Sequence, residues 1–160
     1  MAKKKKVKTN ALRRLEQQKI DYTLQLYDVT DGQVDGISVA EKTGEPMDDV
    51  YKTLVTMSGE ERFVCLIPVA AHLDLKKVAS IMGVKKVDML PLSQLTEETG
   101  YVRGGCSPVG MKKQWPTLID RSAEEKERMI VSAGKVGYQM VVAPLDLVRV
   151  TDATFHPLTK

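Results

Sequence analysis

A single lysine interrupts an otherwise strand-like run in the first half of the chain. Residues 49–55 are rich in β-branched and apolar side chains, which favour a β-strand, and Lys52 lies at their centre. The ordinary interpretation is an edge-strand lysine that discourages pairing between sheets. If the side chain instead faces a cavity, its ammonium group can bind a phosphate or a carbonyl oxygen, and burial would lower its pKa below the usual value of about 10.4.

A second unusual stretch, residues 104–110, is too rich in glycine for a helix or a regular strand, and we call it the glycine loop. The ordinary interpretation is a bulge or a connection made of tight turns. The functional one is a set of backbone N–H groups, at Gly104 and Gly105, that bind an anion or a developing oxyanion. Cys106 is not expected to be a nucleophile, because no histidine or other base lies nearby in the sequence to activate it.

The familiar catalytic and cofactor motifs are missing from the sequence. The two histidines, His72 and His156, belong to no nucleophile motif, and there is no G-x-S-x-G. Histidine and cysteine spacing fits no zinc pattern, and neither a phosphate loop nor a G-x-G-x-x-G follows a strand. We therefore expect no metal and no cofactor, and a polar or anionic substrate held by Lys52 and the glycine loop.

Length and charge bound the class of protein. The 160 residues suit one domain, and the formal net charge is +3. Five lysines lie within residues 1–8, and subtracting them from +3 leaves −2 for the remainder. We predict a disordered basic tail over residues 1–8, with a phosphate-binding arm as the alternative, and a single domain over residues 9–160.

The sequence also predicts the cellular compartment. Cys65 lies in an apolar run typical of a core, and two distant cysteines do not form a disulfide framework. No apolar stretch approaches the length of a membrane span, and the N-terminus lacks the apolar region of a secretory signal. We expect a cytoplasmic protein with no membrane partner and no DNA partner.

Strand patterns outnumber helix patterns. Helices are expected over 10–19 with Asn10 as the cap, from a capping box at Ser38 to Gly44, over 74–83, over 91–100 and from Pro144 onward, with a charged capped segment at 122–125. Strands are expected over 22–27, 50–57, 62–67, 87–89, 116–120, 129–132 and 138–142. Strict alternation of strands and helices is missing, so we predict a mixed α/β (α+β) fold: a largely antiparallel, barrel-like sheet surrounded by short helices.

Several of these stretches together resemble a known family. They are VYKTL at 50–54, LDLKKVA at 73–79, TGYVRGGCSPVGMKK at 99–113 and VSAGK at 131–135. In order and spacing they are similar to the YbaK-type Cys-tRNA(Pro) deacylases, over nearly the whole chain from about residue 9 to 155. These proteins resemble the editing domain inserted in bacterial prolyl-tRNA synthetases.

The resemblance implies an activity and a site. The family clears cysteine wrongly attached to proline tRNA, acting in trans, and some members also hydrolyse Cys-tRNA(Cys). It implies a mixed α/β barrel-like domain with no cofactor. The implied catalytic groups are Lys52 and the backbone of Gly104 and Gly105. The implied substrate-binding residues are Tyr27, Thr53, Cys106, Ser107, Ser132 and Gly134.

The family's proposed chemistry needs no nucleophile from the protein. The thiol of the cysteinyl substrate attacks its own carbonyl, while the protein binds the terminal adenosine, orients the thiol and stabilises the oxyanion. Two departures bear on amino acid selectivity. Gln139 stands where an acidic residue is frequent in the family, and residues 34–36 read Val-Asp-Gly where the family is often aromatic.

Two alternatives remain open at this point. One is the same hydrolysis with another amino acid, such as alanine. The other is a non-catalytic module that binds tRNA ends or a synthetase. The expected partners are the 3′ end of an aminoacyl-tRNA and, by resemblance, prolyl-tRNA synthetase, because no recognised RNA-binding module is present to select the tRNA.

Overall fold

The computed structural model describes residues 8–160. Of the predicted basic tail, residues 1–7 lie outside the described part. Lys8 lies within it and forms an exposed ion pair with Glu16 at 3.1 Å.

Five helices of eight residues each are present in the described chain. They are α1 (Asn10–Gln17), α2 (Gly36–Thr43), α3 (Leu75–Met82), α4 (Leu92–Thr99) and α5 (Pro144–Thr151). Single 3-10 turns occupy Met47–Asp49 and Arg121–Ala123. None of the helices in residues 8–160 combines the length and apolar character that crossing a membrane requires.

The helix ends were predicted better than the helix starts. Glycines in the left-handed conformation follow α2, α3 and α4, as expected. Asp74 caps α3 as predicted. The other three capping assignments are wrong by one to three residues: Thr9 caps α1 instead of Asn10, Asp35 caps α2 instead of Ser38, and Asp120 caps the 3-10 turn that replaces the segment at 122–125.

Eight strands form two sheets in the described chain. The strands are β1 (Thr23–Leu26), β2 (Tyr51–Ser58), β3 (Glu61–Pro68), β4 (Asp88–Met89), β5 (Thr117–Asp120), β6 (Met129–Lys135), β7 (Tyr138–Val142) and β8 (Thr154–His156). One sheet has the order β1-β7-β6, and the other has the order β4-β2-β3-β5-β8. All pairs are antiparallel except β3–β5 and β5–β8.

The mixed α/β class with mostly antiparallel strands is confirmed, but the barrel-like closure is wrong. Within residues 8–160, the backbone pairing between the two sheets is limited to an isolated bridge between Val50 and Ile130. Beyond that bridge the pairing of β6 with β7 is irregular between Ser132 and Lys135, which shifts the register and redirects the strand. A cleft lined by residues of both sheets lies beside β2.

A shared apolar core holds the two sheets in place. Leu12 and Leu15 of α1 pack in one cluster with Val64 of β3 and with Val131 and Met140 of the smaller sheet. β2 pairs with β3 along all of Tyr51–Ser58, so its position in the larger sheet is firmly set. This packing fixes the strand that carries Lys52 against the edge of the other sheet.

Candidate active site

A cavity of about 750 Å³ lies in the cleft where β2 passes the smaller sheet. Its walls come mainly from β2, the loop and helix start at 32–37, the segment at 103–106, and the facing strands β6 and β7, with Tyr27 and Val69 completing them. Cavities of this volume accommodate a small ligand or the end of a larger one. The site is thus built between the two sheets and not over one of them.

Six of the nine residues predicted for the site line this cavity. They are Tyr27, Lys52, Thr53, Gly104, Cys106 and Ser132. Lys52 and the glycine loop are separated by about fifty residues in the sequence, and the fold brings them to one hollow.

The other three predicted residues lie outside the cavity lining. The Gly105 amide donates to the carbonyl of Val102 at 2.9 Å, so it closes a turn and does not face a ligand. Ser107 is fully buried, and its hydroxyl accepts from the Val109 amide at 3.2 Å. Gly134 packs so closely that an added Cβ would lie 2.9 Å from the Tyr101 ring.

Lys52 is the half-buried cation of the site. Desolvation by the surrounding protein lowers the pKa of its ammonium group. None of the ion pairs formed by residues 8–160 includes Lys52. A desolvated cation without a carboxylate partner is costly, and a bound anion would offset that cost.

Thr53 adds a second polar group without a partner. Within the described chain, its Oγ1 is the one buried side-chain oxygen or nitrogen that forms no hydrogen bond. Such groups are rare in folded proteins, and a catalytic or binding role is one explanation for them. Lys52 and Thr53 are adjacent, so two unsatisfied polar groups come from neighbouring positions of one strand.

The glycine loop approaches the opposite wall closely. Gly104 has φ +83°, a conformation that favours glycine, and an added Cβ there would lie 3.3 Å from a methyl carbon of Val34. Gly105 is not in the lining, whereas Gly104, which has no side chain, lines the cavity with its main chain. A ligand can therefore lie directly against the main chain at this point.

Cys106 lines the cavity but is poorly suited to attack a substrate. Burial raises the pKa of its thiol to about 12, so the reactive thiolate is scarce at neutral pH. Neither histidine lines this cavity; His156 lies instead in a separate cavity of about 530 Å³ beside Trp115. No group of three His, Cys, Asp or Glu side chains within residues 8–160 is arranged to hold a metal.

The structure also adds residues that the sequence prediction did not assign to the site. Arg103 lines the cavity next to Gly104 and is exposed, which gives the site a second cation. Its position directly before the glycine pair was the available signal. Gln139 is buried in the lining, and its amide nitrogen donates to Gln25 at 3.0 Å.

Lys42 organises one wall without touching the cavity. Its ammonium group donates to the carbonyls of Asp28 and Gln33 and to the carboxylate of Asp31, each at 2.7 Å. These three bonds tie the loop that carries Gly32 and Val34 to the last turn of α2. No sequence pattern signals this contact, because it depends on how the loop folds back.

Comparisons with known proteins identify the family of the chain. Residues 33–150 match the family described as the aminoacyl-tRNA editing domain. A protein of Enterococcus faecalis (strain ATCC 700802 / V583), EbsC, described as a candidate Cys-tRNA(Pro)/Cys-tRNA(Cys) deacylase, is 44% identical over 161 residues. That alignment covers 99% of this chain and 98% of the relative.

Two solved structures have the same fold. The crystal structure of a candidate trans-editing enzyme for prolyl tRNA synthetase superposes with a TM-score of 0.83 at 20% identity, covering 97% of this chain and 99% of the other. The crystal structure of the hypothetical protein APE2540 superposes with a TM-score of 0.86 at 18% identity, covering 95% and 100%. The family match and the near full-length relative together show that this chain belongs to the aminoacyl-tRNA editing domain family.

Proposed function

We propose that the protein is a trans-acting editing enzyme that deacylates Cys-tRNA(Pro) and also accepts Cys-tRNA(Cys). The observation that carries the proposal is the convergence of an unpaired, partly desolvated Lys52 and the main chain of Gly104 on one cavity. The name of the 44% identical relative supports this substrate class.

In the proposed reaction the substrate supplies the nucleophile. The cysteinyl sulfur forms a bond to its own carbonyl carbon, the ester bond to the ribose oxygen breaks, and the thiol proton passes to that oxygen. Water then opens the resulting thiolactone to cysteine. The thiol of Cys106, with its raised pKa, need not take part.

The chain's own groups then position and stabilise. The Lys52 ammonium binds a phosphate or the ester region of the tRNA end. The main chain of Gly104, which lines the cavity, stabilises the carbonyl oxygen as negative charge develops there. Tyr27, Thr53 and Ser132 supply further polar contacts around the aminoacyl group.

The experiment that tests this function is release of cysteine from charged proline tRNA. Wild-type protein should release cysteine, and Lys52→Ala should be much slower. Ser-tRNA(Pro) and Ala-tRNA(Pro) are the comparison substrates, because their side chains lack the thiol. Equal rates for wild type and Lys52→Ala would reject the role given to Lys52.

A second candidate is the same hydrolysis with a different amino acid, such as alanine. The observation that favours it is Gln139, which lines the cavity. Its side-chain amide is neutral, whereas an acidic side chain is frequent at this position in the family that the sequence resembles. A panel of charged tRNAs decides between the candidates by the ratio of kcat/KM values.

We further propose that prolyl-tRNA synthetase supplies part of the tRNA selectivity, in the cytoplasm where translation takes place. The support is the low charge of the chain outside its first eight residues, which provides little general attraction for RNA. Added synthetase should increase deacylation of proline tRNA over other tRNAs charged with cysteine. An unchanged preference would reject the partnership.

A further inference from the structure

The edge of β2 that faces away from β3 is paired at both ends and open in the middle. At one end Val50 forms a bridge with Ile130 of β6. At the other end the carbonyl of Val55 accepts from the Leu90 amide at 3.0 Å, and β4 pairs just beyond. Between these points, the described part of the chain gives Thr53 no strand partner on this edge.

The alternation of the sheet fixes which main-chain groups face the opening. The carbonyl of Val50 accepts from the Val69 amide at 2.9 Å, on the β3 side. Residues along a strand alternate in direction, so Lys52 and Leu54 also bond toward β3. The N–H and C=O of Thr53 therefore point toward the open edge, in the same direction as the carbonyl of Val55, two residues further along the strand.

The cavity reaches this opening. Successive side chains of a strand project to opposite faces, so Tyr51 and Thr53 lie on one face of β2 and Lys52 and Leu54 on the other. All four residues nevertheless line the same cavity. A cavity lined from both faces passes around the strand edge, which places the free N–H and C=O of Thr53 in its wall.

The chemistry of the opening limits what can occupy it. An adjacent donor and acceptor require a ligand edge that carries an acceptor beside a donor. A further strand does not fit, because β6 and β4 occupy the edge on both sides. At the end of a charged tRNA, the substrate ammonium group only donates and the phosphates only accept, whereas adenine carries its amino group beside a ring nitrogen.

We propose that the main chain of Thr53 binds the 3′-terminal adenine through its amino-bearing edge. The Thr53 carbonyl accepts from the adenine amino group, and the Thr53 amide donates to the adjacent ring nitrogen. This inference rests on the proposed function, because it takes a charged tRNA end as the ligand. Lys52 and Gly104, on the same cavity, are then left for the phosphate and the ester.

Binding of a small, non-hydrolysable substrate end tests the inference apart from catalysis. The probe is 3′-cysteinylamido-3′-deoxyadenosine, and its counterpart carries purine, which lacks the amino group. Isothermal titration with the full chain should show roughly tenfold weaker binding of the purine probe, the effect of one lost hydrogen bond. Equal affinity for the two probes would overturn the proposal.

Two variants at one position separate the main chain from the side chain. Proline is tolerated where a strand N–H points to an open edge, so Thr53→Pro removes the proposed donor but keeps the bonds to β3. Thr53→Val removes only the hydroxyl. Thr53→Val should keep the preference for the adenine probe over the purine probe. Thr53→Pro should lose most of the affinity for the adenine probe. Unchanged affinity of Thr53→Pro for the adenine probe would refute the assignment.

A spectroscopic measurement covers the case in which Thr53→Pro does not fold. In ¹⁵N-labelled wild type, the resonance of the Thr53 amide proton should shift downfield when the adenine probe binds. It should not shift with a probe in which N1 and N7, the ring nitrogens on either side of the amino group, are replaced by carbon. The same shift with both probes contradicts the inference. A protein that prefers adenine in this way but hydrolyses no charged tRNA would refute the proposed function and leave the inference standing. An active deacylase that binds the adenine and purine probes equally would support the proposed function and refute the inference.

Discussion

Replacing Lys52 by methionine should lower activity and raise stability at the same time. Methionine keeps most of the length of the side chain and removes the ammonium group. In the free protein that group is half-buried and has a lowered pKa, and within residues 8–160 no carboxylate pairs with it. The wild-type residue is therefore a cost to folding that only a bound anion offsets.

The size of both effects follows from this environment. An ion pair at 4 Å is worth about 4 kcal/mol at an effective dielectric constant of about 20, and partial exposure reduces this to about 2–3 kcal/mol, or roughly 30- to 150-fold in kcat/KM. Relief of the desolvation cost should stabilise the variant by about 0.5–1 kcal/mol. For a chain of this size that corresponds to a rise in Tm of about 1–4 °C.

The assay pairs deacylation kinetics with thermal unfolding. Lys76→Met, at an exposed position of α3, is the matched control and should change neither quantity. A Lys52→Met protein with unchanged kcat/KM and a lower Tm would refute the reasoning, since it would mark Lys52 as a stabilising surface residue.

The pH dependence of stability provides an independent check on Lys52. Its folded-state pKa lies below the ordinary value of 10.5. Between those two values the unfolded chain binds more protons, so the lysine's contribution to wild-type stability improves as pH rises. The advantage of Lys52→Met in free energy of unfolding should shrink as pH rises through this window, and a growing advantage would show the opposite shift.

Three further predictions concern the surroundings of the site. Cys106→Ala should retain kcat/KM within about threefold, since burial raises the thiol pKa to about 12; a loss near a hundredfold would identify a nucleophile. Lys42→Met should raise KM roughly 3- to 10-fold and speed hydrogen exchange over residues 28–36, because three hydrogen bonds of 2.7 Å are lost. The control Lys76→Met should change neither quantity. Unchanged hydrogen exchange in Lys42→Met would contradict the dependence of this cavity wall on Lys42. Gly105→Ala should destabilise the fold by about 2 kcal/mol in urea unfolding, because its Cβ would lie 2.8 Å from the Val136 nitrogen. The control Gly59→Ala meets no atom within 4 Å and should cost about 1 kcal/mol for its left-handed backbone. Equal losses of stability in the two variants would show that the crowding at Gly105 is relieved.

Local features of the fold were accessible from the sequence. Gly44, Gly83 and Gly100 end their helices as predicted, because a left-handed residue after a helix is a property of glycine itself. The first residues of helices were less accessible. Asp35 and Ser38 both can cap, and the observed arrangement, in which the Asp35 carboxylate accepts from the Ser38 amide, depends on the preceding loop.

Long-range pairing accounts for most of the errors in the predicted fold. The strand Thr154–His156 was not predicted, because it is short and is defined by its pairing with β5. The expected barrel failed for a similar reason, since closure depends on contacts between distant strands. In the site, the placement of Lys52 beside Gly104 was expected from motifs, while the buried turn at Gly105 was not.

The most direct measurement is single-turnover deacylation of proline tRNA charged with cysteine, compared with the same tRNA charged with serine. The account predicts rapid release of cysteine and little release of serine, because the protein positions the ester and the substrate supplies the thiol. Equal release of the two amino acids would contradict the substrate-thiol reaction. Saturable binding with no release from any charged tRNA would show that the cavity of Lys52 and Gly104 holds a tRNA end without catalysis.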